Sequence, residues 1–333
     1  GQLFNASDVA VVGNFASGSR TAAVAAVGAN GPIINLILGL FIGIALGTTV
    51  VIANAIGSDD REGVQNAVHT SMVMAVVGGV IVAIIGELMA GGLLTLLKVP
   101  EDVYPLSLLY LRIYFLGMPA ILLYNFEAAI FRSIGETKVP LIALASSGVL
   151  NVLLNLVFVL GFDMTVNGVA IATVLSNVVS SIILYRRLRK TDQYIHVDPK
   201  RFAIHWGSFR QILRIGLPAG IQSAVFAVSN IVIQSAINSL GTIVMAASSA
   251  ALNIEIIAYY VMNSFSQACA TFVGQNYGAN QVKRCRKILG LCILEDAIAT
   301  ASAICIILFA GKTVLALFNP DPQVIDIGYT RLL

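Results

Sequence analysis

What limits the fold of this chain most is that it comes close to stating itself twice. Ala25-Ala26 returns as Ala246-Ala247, and Ile56-Gly57 as Tyr277-Gly278, both 221 positions later. Ser7-Asp8 returns as Ser229-Asn230 at 222, and Gly91 and Pro100 as Gly311 and Pro320 at 220. Tyr110-Leu111-Arg112 returns as Tyr329-Thr330-Arg331 at 219. The duplicated block, about 200 residues, is apolar throughout, which implies two similar helix bundles in a membrane, the arrangement that alternating access across a central site requires.

The repeat also carries an expectation about extent. Gly1 falls against Ser223, while the second copy's opening helix starts near Phe209. About 14 residues of a first helix are therefore expected to be missing before Gly1. Leu333 falls just after the match to Arg112, and the first copy runs on through Lys190. Some 75 residues, or about two and a half helices, are expected to be missing at the other end. The chain reads as a fragment.

Hydrophobic residues make up 57% of the chain and charged residues 11%, where a soluble domain carries about 25% charged. A single water-soluble core is excluded. Ten hydrophobic segments can be counted, at 1–15, 21–55, 64–97, 104–131, 139–162, 168–185, 209–237, 243–275, 288–318 and from 324 onward. The second is long for one span, and Pro32 is expected to bend or split it near its outer end. Pro119 and Pro218 lie inside the fourth and seventh segments and mark kinks, moving or static. Gly39, Gly43 and Gly47 form a stripe of small residues that lets another backbone approach closely. No secretory signal is visible. Cys269, Cys285, Cys292 and Cys305 fit no metal spacing and read as small residues in membrane helices.

Fifteen of the twenty lysines and arginines fall in the turns after the even-numbered segments and in the linker, the other five on the opposite side. That bias places the even turns and the linker in the cytoplasm. Six helices per copy is an even number, so both copies enter from the same side. The expected architecture is all-α and integral to the membrane, with two parallel six-helix bundles related by a pseudo-twofold axis along the membrane normal, here about ten helices. The expected domains are a bundle at 1–190, a cytoplasmic linker at 191–208 and a second bundle at 209–333.

Ionisable residues inside such helices are functional candidates, because burying one costs at least about 2.5–3.5 kcal/mol unless it is paired or hydrated. Asp8 is the first, about nine residues before the outer turn near Ser17 and so in the outer half of the bilayer. The fifth and sixth segments form a hairpin turning near Met164. Asn155 and Thr173 are each nine residues from that turn, and Asn151 and Asn177 each thirteen. Equal distance from the turn of an antiparallel pair means equal depth. If the first, fifth and sixth helices adjoin, Asp8, Asn155 and Thr173 converge on one level, with Asn151 one turn from Asn155 on the same face. One carboxylate among amide and hydroxyl oxygens suits a shared proton or a hard monovalent cation such as sodium. Interhelical hydrogen bonding alone is the plainer reading of the asparagines and the threonine. Glu255, with Tyr259 one turn on, lies near mid-membrane and is a candidate for meeting a cationic substrate in a central cleft, or for a hydrogen bond inside its own bundle. Glu127 is a similar candidate nearer the cytoplasm, where a structural role is favoured. Glu295-Asp296 has no assigned role.

Several stretches resemble the multidrug and toxic compound extrusion (MATE) family. They are Ser7-Asp8-Val9-Ala10-Val11-Val12-Gly13, Ala25-Ala26-Val27-Gly28-Ala29 with Gly31-Pro32, and the run from Phe131 to Pro140. Gly168-Val169-Ala170-Ile171-Ala172-Thr173 and Gly216-Leu217-Pro218-Ala219-Gly220 follow, and the most specific is Val273-Gly274-Gln275-Asn276-Tyr277-Gly278-Ala279. The resemblance covers the whole chain in order. It implies a twelve-helix, cation-coupled antiporter with a V-shaped pair of lobes that exports amphipathic, often cationic, drugs from the cytoplasm across the inner membrane. By position, Asp8 resembles the family's coupling acid, and Asn151, Asn155 and Thr173 fall where some members complete a cation site, with sodium possible at Asp8, Asn155 and Thr173. The Asn155 position is commonly Asp in members with that sodium site, so the ion, proton or sodium, stays open. The seventh segment has no acid, which resembles the DinF-like branch, whose coupling centres on the amino-terminal lobe.

Two alternatives stand beside this reading. A lipid-linked oligosaccharide flippase of the same superfamily would want a basic cavity, and no lysine or arginine sits mid-helix. An intramembrane enzyme needs a catalytic pair, and His69, His196 and His205 all fall near the cytoplasmic side without a motif. No phosphate-cradling Gly-Lys loop is present. No cofactor, metal centre or nucleic-acid partner is expected; the partners are small amphipathic molecules and the lipid bilayer, and the chain is expected to act as a monomer.

Overall fold

The computed structural model describes residues 2–15, 20–238, 240, 242–318 and 321–333. Among them the regular elements are all helical: α1 (Gln2–Phe15), α2 (Arg20–Gly57), α3 (Arg61–Leu96), α4 (Tyr104–Leu116), α5 (Met118–Ser133), α6 (Lys138–Leu156), α7 (Val166–Lys190), α8 (Trp206–Asn238), α9 (Thr242–Gly278), α10 (Val282–Phe318) and α11 (Pro322–Leu332). A short π-helical turn, Val157–Gly161, closes α6, and a 3₁₀ turn, Pro199–Arg201, lies in the linker. Helix is what lipid demands, because it satisfies every backbone N–H and C=O inside the segment. Six described helices are long and apolar enough to cross a membrane, and α4 with α5 makes a seventh if the pair counts as one span.

The fourth hydrophobic segment is not one helix. It breaks at Gly117, and α4 and α5 meet at 51°. Pro119 sits in the first turn of α5, where its missing N–H has no intrahelical partner to lose. Two contacts fix the bend. A Cβ on Gly79 of α3 would stand 2.4 Å from the Pro119 Cα, and one on Gly117 would stand 2.4 Å from the Val174 side chain. Pro32 does not split its segment, and α2 runs unbroken through it for 38 residues. α8 likewise continues through Pro218.

The chain divides into two compact units, Gly1–Ala224 and Val225–Leu333, with the boundary inside α8. The first holds two apolar cores. One gathers Val11, Val12, Ala26, Leu94, Leu111, Phe115 and Val169. The other, at the end that carries the basic turns, gathers Ile52, Val68, Phe126, Ile130, Leu184 and Leu188. The linker is part of this second core, since Ile195 and Val197 are fully buried in it. Its backbone is tied to α3 as well. Gln65 donates to the carbonyls of Tyr194 and His196 at 2.6 and 3.0 Å, and Thr70 accepts from the His205 N–H at 3.0 Å.

The glycine stripe of α2 meets the start of α8. A Cβ on Gly43 would stand 2.2 Å from the Gly220 nitrogen, and one on Gly47 2.3 Å from the Ile212 carbonyl oxygen. The two backbones touch because neither helix puts a side chain between them.

In the second unit α9 packs on α10 and α11, around Ala250, Ala251 and Leu315. The repeat seen in the residues is also a repeat of elements. α9 starts 222 positions after α2 and ends 221 after it. α10 starts 221 after α3 and ends 222 after it. The pairings of α2 with α3 and α4 recur as α9 with α10 and α11.

Candidate functional site

α1 packs against both α6 and α7, which puts Asp8 within reach of the hairpin that those two helices form. Asp8 is fully buried, as are Asn151 and Asn155, and Thr173 is 3% exposed. Asn155 donates its amide N–H to Asp8 Oδ1 at 3.0 Å. The Thr173 hydroxyl lies 2.8 Å from Oδ2 and 3.1 Å from Oδ1. Asn151 donates to Thr173 Oγ1 at 3.1 Å, and its own carbonyl oxygen is 3.4 Å from the Asn155 amide. Asn177 bonds the Thr173 backbone carbonyl at 2.8 Å and does not touch the carboxylate.

A third donor comes from a residue that the sequence reading did not select. Tyr110 on α4 donates its hydroxyl to Asp8 Oδ2 at 3.0 Å, and its ring stacks on Tyr114 at 6.2 Å between centroids. The one signal in the sequence was its return as Tyr329 in the repeat. Depth counting from the helix ends could not find it, because the break at Gly117 interrupts the count.

The site is thus one acid held by three neutral donors from α4, α6 and α7, and no ion pair among the described residues includes it. Three donors solvate a carboxylate, and burial without a cation opposes the charge. Both forms can be accommodated, because the Thr173 and Tyr110 hydroxyls rotate and can accept from a protonated acid. Oxygen ligands for sodium are present too, in the Asp8 carboxylate, the Thr173 hydroxyl and the two asparagine carbonyls. As the amides stand, Asn155 turns its N–H toward Asp8 and Asn151 turns its carbonyl oxygen toward Asn155.

The other candidates lie elsewhere. Glu255 on α9 is not the free acid that recognition of a cation needs. Arg331 of α11 holds it at both oxygens, with Nε 3.1 Å from Oε1 and a terminal nitrogen 3.2 Å from Oε2. The same arginine reaches the Ser248 carbonyl at 3.2 Å. Tyr259 is half exposed and stacks on Phe226 at 5.8 Å with a 10° interplanar angle, and Tyr260 stands edge-on to it at 5.9 Å. Glu127 faces no open surface. It is fully buried, with Ser181 of α7 donating to Oε2 at 2.9 Å.

Residues 2–157 and 218–333 match the sequence model of the family described as MatE. The chain is 28% identical over 325 residues to the probable multidrug resistance protein YoeA of Bacillus subtilis, an alignment that covers 93% of this chain and 69% of that one. It is 26% identical over 338 residues to the probable multidrug resistance protein NorM of Thermotoga maritima, covering 98% and 70%. Among solved structures, a MATE protein in its bent conformation superposes with a TM-score of 0.89 at 25% identity, over 99% of this chain and 73% of that one. The family model spans most of the chain, and the fold and the repeat agree with it: the chain belongs to the MatE family, whose members are membrane transporters and not enzymes.

Proposed function

We propose that this chain drives the export of amphipathic, often cationic, compounds from the cytoplasm by exchanging them for protons bound at Asp8, with coupling confined to the first unit as in the DinF-like branch. The observation that carries this reading is the Asp8 carboxyl itself, fully buried, bonded by three neutral donors and paired with no cation among the described residues. An intramembrane acid so placed needs either a proton or an ion to neutralise it. With a single carboxylate, a proton is the better fit. The names of the relatives support small amphipathic drugs as substrates. The aromatic face formed by Phe226, Tyr259 and Tyr260 supports a contact with flat, apolar parts of such molecules.

The test is export by the full-length protein in proteoliposomes under proton and sodium gradients imposed separately. Asp8→Asn should abolish gradient-driven export while leaving the protein folded. Asn155→Asp adds a second carboxylate and should move the preference toward sodium. Wild-type export driven by sodium at clamped pH and indifferent to a proton gradient would overturn the choice of ion.

A further inference from the structure

Glu127 takes no part in the Asp8 site, yet it is buried as completely. It lies on α5 six residues before Ser133, in the half of the first unit nearest the basic turns. Ser181 donates to Oε2, and Oε1 has no hydrogen-bond partner among the described residues. No ion pair among them includes Glu127 either. The titratable and charged groups in that half of the helices packed around it are Tyr124 and Arg132 on α5, Arg61, Glu62 and His69 on α3, Tyr185, Arg186, Arg187, Arg189 and Lys190 on α7 and Lys138 at the start of α6; α2 brings none after Arg20. Tyr124 donates to the Pro140 carbonyl, and both ring nitrogens of His69 are engaged by Gln65 and Asp198. None of them reaches the Glu127 carboxyl.

α7 joins the two acids. Thr173, bonded to Asp8, and Ser181, bonded to Glu127, are eight residues apart, about 12 Å along one stripe of the helix. Ser176, Asn177 and Ser180 fill the stripe between them, all buried, and Ser147 of α6 bonds Ser180 across the seam. Ser176, Asn177 and Ser180 each bond a carbonyl one turn back, so the cost of the stripe inside lipid falls on the acid at each end.

We propose that Glu127 is a second proton-binding site of the first unit, distinct from Asp8 and loaded and emptied from the basic end. As a carboxylate with Ser181 as its one donor, Glu127 would be a nearly bare charge in a dry interior. It therefore accepts one proton at Oε1 from water when the helices part at that end, and returns the same proton to water later in the cycle. The bonds made and broken are O–H bonds alone, and Ser181 keeps its hold on Oε2 throughout. The proposal takes its place in the cycle from the proton-driven reading above.

The experiment is infrared difference spectroscopy of the full-length protein in lipid during a pH titration, following the carbonyl stretch of protonated carboxylic acids. The wild type should lose two such bands as pH rises. Asp8→Asn should remove one and Glu127→Gln the other. Ser181→Ala, which keeps the acid, should move the second band to higher frequency by removing its hydrogen bond. In proteoliposomes, proton-driven export by Glu127→Gln should fall below that of the wild type, as the loss of a functional intramembrane acid implies. An unchanged spectrum in Glu127→Gln, beside a band lost in Asp8→Asn, overturns the inference and leaves the coupling reading intact. A spectrum and an export rate both unmoved by Asp8→Asn overturn the coupling reading instead. A Glu127 band that does not respond anywhere in the pH range of export also overturns the inference.

Discussion

Tyr110 shows how much of the chemistry at Asp8 is set by a single hydroxyl. Asp8 is held by three donors, and the tyrosine supplies the only one that comes from α4. A hydrogen bond to a charged group contributes about 1.5–3 kcal/mol. Its loss in Tyr110→Phe disfavours the carboxylate relative to the neutral acid, so the proton is released only at higher pH. The pH profile of proton-driven export should therefore move to the alkaline side by roughly one to two units, at 1.36 kcal/mol per unit. Folding should be nearly unchanged, because the ring keeps its stacking on Tyr114. A profile of the variant that overlays the wild type would show that the hydroxyl does not tune Asp8. The four residues that sequence reasoning brought together, Asp8, Asn151, Asn155 and Thr173, were legible because depth along an antiparallel hairpin can be counted from its turn. Tyr110 was not, because an aromatic residue at that depth also reads as an interfacial anchor.

At the scale of elements, the glycine stripe of α2 was readable as a packing surface, but its partner was not. Sequence spacing shows that a backbone can approach, and only the structure shows that Gly216 and Gly220 of α8 do so. A methyl group on Gly43 meets backbone atoms, which cannot rotate away. Gly43→Ala should destabilise the protein by about 1–3 kcal/mol, the usual range for overpacking. Gly28→Ala, at a position with nothing within 4 Å of an added Cβ, should be neutral or slightly stabilising. Thermal unfolding in detergent compares the two, and equal melting temperatures would exclude the tight seam. A kink at Pro119 was expected, but its place at Gly117 and the clamp of the linker on α3 were hidden. The first depends on a tight fit against Val174 and Pro119, and the second on two apolar residues, Ile195 and Val197, inside an otherwise polar run. The pair between α9 and α11 changes what a substitution at Glu255 should do. Glu255→Gln leaves Arg331 half-buried with its partner charge gone, at a cost of about 1 kcal/mol for a pair this exposed. Export of cationic and of neutral compounds should then decline together. A selective loss for cations would return Glu255 to the substrate path.

Across the whole molecule the scaffold is repeated, but the acid of the site is not. Helix boundaries recur at 221–222 positions, yet the position of Asp8 is taken by Asn230 in the second copy. The repeat-mate of Tyr110 is Tyr329, and its hydroxyl donates to the Leu308 backbone carbonyl at 3.1 Å. The mate of Arg112 is Arg331, engaged with Glu255. Duplication preserved the packing, which depends on apolar pattern and glycine positions that tolerate drift. It did not preserve the acid, which is Asn230 in the second copy, although the tyrosine is kept as Tyr329. Moving the acid should therefore not move the function. In the double variant Asp8→Asn with Asn230→Asp, net charge is kept, but the hydroxyl of Tyr329, the mate of Tyr110, is bonded to the Leu308 carbonyl, and the donors Asn155 and Thr173 remain in the first unit facing an amide. Proton-driven export in proteoliposomes should stay as low as in Asp8→Asn alone. Recovery to even a third of the wild-type rate would mean that the acid's location is interchangeable between the copies, and that the donor set around Asp8 is incidental to coupling.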